Sequence, residues 1–417
     1  MTHPVRKGTR DAPEEARHWL SIVGIGADGV EGLSQAGRDA IAQAAHVFGG
    51  ERHLELARSL MDGEVHVWPS PISVAVEHIL SLRGQHVAVL ASGDPNHFGI
   101  GALLGNAVGA DEMICRPAPS SFSLAAARLA WSLQDTATLS VCGRPLAAIV
   151  PHLQPGRRLL VLSADDRSPG QIAALLTERG FGGSTVHVLE MLGGIGERTR
   201  CCPADGFDLS DVDPLNVIGV ELVAGPDARP LPFASGLPDA FFETDGQLTK
   251  REVRAVTLSS LEPHPGELLW DVGTASGSIA IEWMLRHPAN RAIGIEARED
   301  RLAWAMRNAE TLGVPAFKGI LGEAPAAFDG LDAPDAVFIG GGVTTEGLVD
   351  RAWDALASGG RMVANSVTLE GQSVLIDTVG RLGGTLVRIG IERLDALGTM
   401  HGLRPAMPVT QWKATKP

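Results

Sequence analysis

The chain contains no tyrosine, and its 417 residues include only 11 Phe and 8 Trp. A recognition surface built on many tyrosine side chains is therefore excluded. Cysteine is nearly as scarce. There are four, with Cys115 and Cys142 isolated, Cys201 and Cys202 adjacent, and no C-x-x-C pair. Such a set frames neither a disulfide scaffold nor a zinc cage, and thiols in a reducing cytoplasm are the expectation. Positive charge is also in short supply. Lys and Arg total 35 against 49 Asp and Glu, for a formal net charge of −14, which argues against a general nucleic-acid binder. The longest uncharged apolar run, near Phe98 to Ala110, falls short of the roughly 18 residues that a membrane helix needs. Residues 1 to about 18 read as a loose polar tail rather than a secretory signal. With no HExxH motif and no Asp-rich ligand loop, no metal is expected. These absences describe a cytoplasmic protein with neither a membrane nor a nucleic-acid partner.

What the chain does have is a recurrent α/β texture. Runs such as WLSIVGIG, HVAVLASGDP, RLLVLSADD, VHVLEMLGG and LNVIGVELVAG are short, apolar and bounded by turn formers, as strands buried on both faces should be. They alternate with helical periodicity. Between Gly225 and Ala240 four prolines (Pro226, Pro230, Pro232, Pro238) interrupt the pattern, and a linker is expected over 225–240 between domains at 19–224 and 241–417. The second half opens with LTKREVRAVTLSSL, predicted as a helix with Val253, Val256, Leu258 and Leu261 toward one side. Seven strand-like runs follow. The first five should be parallel, and the last two, separated by a loop, are candidates for an antiparallel pair.

The sequence Asp271-Val272-Gly273-Thr274-Ala275-Ser276-Gly277 follows the first of these strands and opens a helix. Gly273 and Gly277 allow a sharp turn and a close ligand approach, at the strand's carboxyl end where open α/β sheets bind ligands. Glu296 ends the next strand, 19 residues after Gly277, in position to accept hydrogen bonds from ribose hydroxyls. Glu323 follows the third strand, where an adenine amino group is a suitable donor. NAD and S-adenosylmethionine both carry adenosine. The loop lacks the third Gly of G-x-G-x-x-G, and its leading Asp271 suits an ammonium and a sulfonium better than a diphosphate, so S-adenosylmethionine is favoured.

D-x-G-x-x-x-G with seven strands resembles the class I methyltransferases, with Ala275 where Gly is usual; Ala should fit there if its φ is negative. Ile339-Gly340-Gly341-Gly342 stands where base-amino methyltransferases carry an N-P-P-Y type motif. Together with LTKREVRAVTLSSL and ANSVTLEG (Ala364 to Gly371), it resembles the precorrin methyltransferase-decarboxylases over nearly all of residues 241–417. In the first half, Gly24-Ile25-Gly26-Ala27-Asp28-Gly29 formally satisfies G-x-G-x-x-G, but the next strand ends in Gly49 and Gly50, without the ribose carboxylate. GIGADG, LASGDPNHFGIG, PAPSSFSLAAARLAW, LSVCGRPL, LLTERGFGGSTVHVLEMLGG and DPLNVIGVEL, in that order, resemble the tetrapyrrole methylase family in its cobalamin-pathway branch. Ala27 and Cys142 stand where that family usually has Pro and His.

These resemblances imply a two-lobed tetrapyrrole methylase fold (lobes about 19–130 and 131–224). A class I Rossmann-like methyltransferase with a seven-stranded, mostly parallel sheet follows it. They imply S-adenosylmethionine in each domain, held by Gly93, Asp94, His97, Ser120, Ser121 and Cys142 in the first, and by Thr249, Gly273, Thr274, Ala275, Ser276, Gly277, Glu296, Glu323 and Ala324 in the second. A side chain at 93 would then occupy ligand space. The implied activity is methylation of tetrapyrrole meso carbons 5 (first domain) and 15 (second), with decarboxylation of the ring C acetate by the second. Arg116, Arg144, Lys250 and Arg254 are the cations expected to meet substrate carboxylates. A homo-oligomer is expected by analogy with relatives. No side chain is assigned to catalysis. A methyltransferase on another bulky small molecule, an NAD-dependent oxidoreductase and a non-enzymatic S-adenosylmethionine sensor are the alternatives.

Overall fold

The computed structural model describes residues 18–417, so nearly all of the polar opening segment lies outside the described residues. The chain divides into two compact units. One comprises residues through Arg144 together with Pro155–Ala228; the other comprises Pro145–Gln154 with Arg229–Pro417.

The first unit holds two five-stranded sheets. The strands of the first sheet are β1 (Leu20–Ile25), β2 (His46–Gly49), β3 (Glu64–Val67), β4 (Val87–Ser92) and β5 (Met113–Arg116), in the order β3-β2-β4-β1-β5. All of their pairings are parallel. The central strands β1 and β4 are buried along almost their whole length, which is why they read as continuous apolar runs. Helices α1 (Gln35–Ala42), α2 (Glu51–Ala57), α3 (Ser73–Ser81) and α4 (Ile100–Val108) make the connections, and α5 (Ser121–Leu129) leads into the second sheet. That sheet consists of β6 (Thr136–Ser140), β7 (Arg158–Leu162), β8 (Thr185–Glu190), β9 (Arg198–Pro203) and β10 (Asn216–Glu221), with α6 (Ser168–Glu178) after β7. Its order is β6-β7-β10-β8-β9, and only the β6–β7 pairing is parallel.

The second unit is built on one seven-stranded sheet. After α7 (Arg251–Leu261) come β11 (Leu268–Val272), α8 (Ser278–Arg286), β12 (Arg291–Glu296), α9 (Glu299–Thr311), β13 (Lys318–Leu321) and β14 (Ala336–Ile339). Then follow α10 (Leu348–Ala355), β15 (Arg361–Ser366), α11 (Leu369–Leu382), β16 (Thr385–Ile389), β17 (Glu392–Leu397), β18 (Met400–Pro405) and β19 (Val409–Thr415). The order is β13-β12-β11-β14-β15-β19-β16. The first five run parallel to one another, and β19 runs opposite to both β15 and β16. The stretch expected as a loop before β19 instead folds into the β17–β18 hairpin. Its residues are mostly exposed and carry little alternating hydrophobicity, so periodicity could not reveal it. Among the described residues no helix is long and apolar enough to cross a membrane.

The Pro-rich segment is not a free tether. Leu231, Leu237 and Phe242 are buried, and the backbone N–H groups of Gly236 and Leu237 donate to the Glu282 carboxylate on α8 at 2.7 and 2.8 Å. Arg254 of α7 completes this node. Its Nε donates to Glu282 at 2.6 Å, its other nitrogens reach Asp239, Thr249 O and Leu237 O, and its guanidinium lies over the Phe242 ring. Arg254 and Glu282 are both fully buried. The helix therefore presents Arg254 and Thr257 inward along with Val253, Leu258 and Leu261, whereas Val256, expected on the apolar side, is exposed.

A second buried carboxylate, Asp271, lies in β11 under the following turn. Its Oδ2 accepts from Thr274 Oγ1 at 2.7 Å and from the Ala280 N–H at 3.1 Å. Burial, opposed by these two bonds and reinforced by the nearby Glu296 charge, pushes its pKa up to about 6.

Two outcomes are expected. Glu282→Ala leaves a buried guanidinium short of its carboxylate and two backbone donors unmet, and should cost about 3–5 kcal/mol in urea unfolding; a loss below 1 kcal/mol would refute the node's importance. For Asp271, the unfolded carboxyl titrates near 3.8 and the folded one near 6. The folded chain therefore retains a proton that the unfolded chain gives up. The associated stability is fully present below about pH 4 and is lost, by about 3 kcal/mol, as pH rises through 6. Asp271→Asn should lack this loss, read as the difference between wild-type and variant urea midpoints from pH 4 to 7.

Candidate functional site

Each unit carries a cavity at the carboxyl ends of its parallel strands. The one in the second unit encloses about 790 Å³ and opens where strand order reverses between β11 and β14, the usual ligand crevice of an open α/β sheet. Its floor is the turn after β11. Gly273 has φ +72°, and a Cβ there would stand 3.2 Å from the Gly341 nitrogen, so the first turn and the Gly340–Gly342 turn after β14 meet backbone to backbone. A Cβ on Gly341 itself would meet nothing within 4 Å, which leaves its backbone open toward the cavity.

Glu296, at the end of β12, is buried. Its Oε2 accepts from the Ala275 N–H at 2.9 Å and its Oε1 from the Arg298 N–H at 3.1 Å. Each oxygen keeps a further lone pair for a ligand hydroxyl. Ser276 Oγ is buried without a hydrogen-bond partner, an open donor and acceptor in the same wall. Thr249, Lys250, Glu323 and Ala324 also line the cavity, as do Gly273 through Ser276. Among the described residues Lys250 makes no ion pair.

Three expectations are corrected here. Ala275 has φ +47°, not a negative angle. It adopts the conformation that the usual Gly would, at a cost of about 1–2 kcal/mol, and in that conformation its N–H is held by Glu296. Gly277 (φ +76°) does not line the cavity. A Cβ there would press on Ala305 and Ile281 at 3.1 and 3.2 Å, so its bareness serves the packing of α8 on α9. Arg254 is closed inside the Glu282 node and turned away from the cavity, so it is no substrate cation. Asp271, in turn, spends one carboxylate oxygen bracing its own loop.

The cavity of the first unit encloses about 450 Å³ and is lined from both of its sheets. Here too backbone meets backbone. A Cβ on Gly24 would stand 1.8 Å from the Gly93 carbonyl oxygen, and that oxygen accepts from the Ala118 N–H at 3.0 Å. Gly93 has φ +52°, and its own Cβ would lie 2.9 Å from Pro119 O. The side chain it lacks would therefore strike protein rather than the ligand space expected. Asp94 Oδ1 accepts from the Asn96 N–H in an Asx turn. Ser120 caps α5 by accepting from the Ser123 N–H. His97 packs on Phe98 and Phe122, and Arg144 lies over Phe98. Asp94, His97, Ser120, Ser121, Cys142 and Arg144 all line this cavity. Arg116 does not. Its Nη1 donates to Ser21 Oγ, so it braces the edge of the first sheet.

Sequence reasoning missed residues in both walls. Arg52 and His53 at the start of α2 line the first cavity. His53 Nε2 lies 2.8 Å from Ser92 Oγ, and burial, with the Arg52 charge added, lowers its pKa to about 4. Burial likewise lowers that of Arg52, against the opposing charge of Asp213. The available signal was the end of β2 at Gly49–Gly50, which places the next helix start beside the β4 loop. In the second cavity Arg393 and Met407 come from the unforeseen hairpin and its exit, and Asn365 from the end of β15.

Residues 20–206 match the family described as Tetrapyrrole (Corrin/Porphyrin) Methylases, and residues 240–416 match the Precorrin methyltransferase domain. A Sinorhizobium protein named precorrin-6Y C(5,15)-methyltransferase [decarboxylating] is 53% identical over 95% of this chain and 96% of its own. A protein of the same name from Mycobacterium tuberculosis is 41% identical over 95% of this chain and 100% of its own. A Saccharolobus solfataricus protein named probable cobalt-precorrin-6B C(15)-methyltransferase (decarboxylating) is 34% identical over 38% of this chain and 80% of its own. With two α/β units, a glycine-built cavity in each and this end-to-end similarity, the chain belongs to the precorrin-6Y C(5,15)-methyltransferase (decarboxylating) family.

Proposed function

We propose that this chain methylates precorrin-6Y at meso carbons 5 and 15 and removes the carboxyl group of the ring C acetate, as a step of cobalamin biosynthesis. The observation that carries the reading is the presence of two separate glycine-built cavities in a chain with full-length relatives named for two methylations. Carbon 5 belongs to the first unit. Carbon 15 and the decarboxylation belong to the second, where residues 240–416 match the Precorrin methyltransferase domain, a length close to that of a relative named for those two activities alone.

Each cavity takes one S-adenosylmethionine, which when bound supplies a methyl group on a positively charged sulfur. The residues of the second cavity fit it. Glu296 offers its free lone pairs to ribose hydroxyls, Glu323 suits an adenine amino group, and Ser276 Oγ and the bare Gly341 backbone leave room and polarity along the turn. Thr249, Thr274, Ala275 and Ala324 complete the wall. In the first cavity Gly93, Asp94, His97, Ser120, Ser121 and the backbone at Cys142 hold the second molecule. The chain's work is alignment of donor and acceptor carbons and exclusion of water. Lys250 in the second unit, and Arg144 with Arg52 in the first, meet the substrate's carboxylates. The electron sink for decarboxylation is the tetrapyrrole's own conjugated imine, held in conformation by the cavity.

Incubation of the full chain with labelled S-adenosylmethionine and precorrin-6Y should add two methyl groups and release one carbon dioxide, read by product mass. A product with no added methyl would defeat the reading. Glu296→Ala should weaken S-adenosylmethionine binding at one of two calorimetric sites by about ten- to a hundred-fold, the loss of a charged acceptor, and, with S-adenosylmethionine held below the weakened Kd, should give mainly product methylated once. Two unaltered sites would remove Glu296 from the ribose.

A further inference from the structure

The geometry points to a binding site for a divalent transition-metal ion of the zinc class at His46, Glu64 and His66, on the edge of the first sheet. β2 and β3 run parallel with His46 opposite Glu64 and Phe48 opposite His66. Side chains two apart on a strand share a face, so the register brings both imidazoles and the carboxylate together. His46 Nδ1 lies 3.1 Å from His66 Nε2 and 3.5 Å from Glu64 Oε2, and His66 Nε2 lies 3.8 Å from Glu64 Oε1. Donors about 2.1 Å from a tetrahedral zinc are about 3.4 Å apart. The His46–His66 and His46–Glu64 Oε2 separations lie within about 0.3 Å of that value, and with one carboxylate oxygen taken the three donor atoms lie within 4.8 Å of one another.

The surroundings orient both rings. His46 Nε2 lies 3.1 Å from Gln85 Oε1. An amide oxygen only accepts, so the His46 proton sits on Nε2, the outer-shell arrangement that fixes metal-binding histidines, and the Nδ1 lone pair accepts from His66 Nε2–H, a proton that the ion displaces on binding. His66 is stacked on Phe48 with centroids 4.3 Å apart and meets His78 edge-on at 5.0 Å. Both imidazoles are largely covered, whereas the Glu64 side chain is 67% exposed. The fourth position therefore opens to solvent and takes water. Two histidines and one carboxylate with an open position suit zinc, and cobalt(II) or nickel(II) fit the same nitrogen and oxygen donors.

None of the three residues lines the methyltransferase cavity. β3 is a four-residue edge strand, mostly exposed, whose sheet partner is β2 alone. A metal bridging the two strands clips that edge in place. The donors come from neighbouring strands 18 to 20 residues apart in sequence, which is why no short metal motif announces them.

The test uses the full chain without an affinity tag, stripped with chelator and titrated with Zn²⁺ alone. Calorimetry should show one ion per chain, the melting temperature should rise with Zn²⁺, and Co²⁺ should give the visible bands of a four-coordinate site. His46→Gln and His66→Gln should each weaken Zn²⁺ binding at least about 100-fold and abolish the thermal shift, while the exposed His264→Gln changes neither. Should the histidine variants not fold, Glu64→Gln at the exposed position must still weaken Zn²⁺ binding and alter the Co²⁺ bands. Absence of Zn²⁺ binding by the wild-type chain, or equal binding by wild type and the His46, His66 and Glu64 variants, overturns the proposal.

Discussion

Both cavities depend on places where two backbone segments come closer than any side chain permits. The Gly93 carbonyl occupies the position of a Cβ on Gly24, and the Gly341 nitrogen sits against the position of a Cβ on Gly273. In each case the loop leaving one buried parallel strand lies on the start of another turn, with main-chain groups facing the crevice. The arrangement supplies polar lining without committing side chains, and a single methyl group at Gly24 would force the β1 and β4 ends apart. Since protein interiors are packed without slack, such a shift would propagate into the strands and not remain in the loop. The same requirement accounts for the formal G-x-G-x-x-G of the first half. Its glycines answer to the Gly93 carbonyl, the Asp28 carboxylate and a left-handed turn at Gly29, not to a pyrophosphate.

The buried charges of the second unit follow from this construction. A turn with few side chains must be held from beneath, and Asp271 and Glu296 do so through Thr274 Oγ1 and the N–H groups of Ala275 and Ala280. Ala275 retains a left-handed φ because its N–H is tied to Glu296. Behind α8, the Arg254–Glu282 pair ties α7 and the Pro-rich segment to the helix that begins at the turn. The pair is two charges removed from water, and its worth lies in what happens when one is lost, since the survivor stays buried. It orders an entry segment that has almost no regular structure.

The architecture was legible where burial on both faces produced uninterrupted apolar runs: β1, β4, β7, β8 and β10 in the first unit, and β11, β12, β14 and β15 in the second. The loop glycines and the position of Glu296 were legible too, because spacing along a βαβ unit is set by helix and strand lengths. The β17–β18 hairpin was not, since its exposed strands have no buried face to write a period of two into the sequence. Arg254 was misjudged for a related reason. A cation on a helix reads as free to meet a ligand until the facing carboxylate, 28 residues away, is known. Arg52, His53 and Arg393 escaped because nothing local distinguishes a cavity wall from a surface.

On the proposed function an acidic chain has to receive a ligand rich in carboxylates, and the distribution of cations suits that task. The formal charge of −14 repels such a ligand only weakly at a distance, because physiological salt screens exposed charges beyond about 8 Å. Inside a concave, partly desolvated cleft screening falls, and nearby charges dominate. Most arginines here are already spent on carboxylates of the protein. Arg198 and Arg200 both bind Glu190, Arg301 binds Asp245, and Arg361 binds Glu267. Arg144 and Lys250 are different, for they line the cavities and make no ion pair among the described residues. Their attraction is therefore not cancelled before a ligand arrives. Arg393 is intermediate: it lines the second cavity but already pairs with the exposed Glu252, so a ligand carboxylate must displace an acid that solvent can readily take up. On the proposed function, selectivity for a polycarboxylate rests on which cations the fold leaves unpaired, not on how many the chain contains.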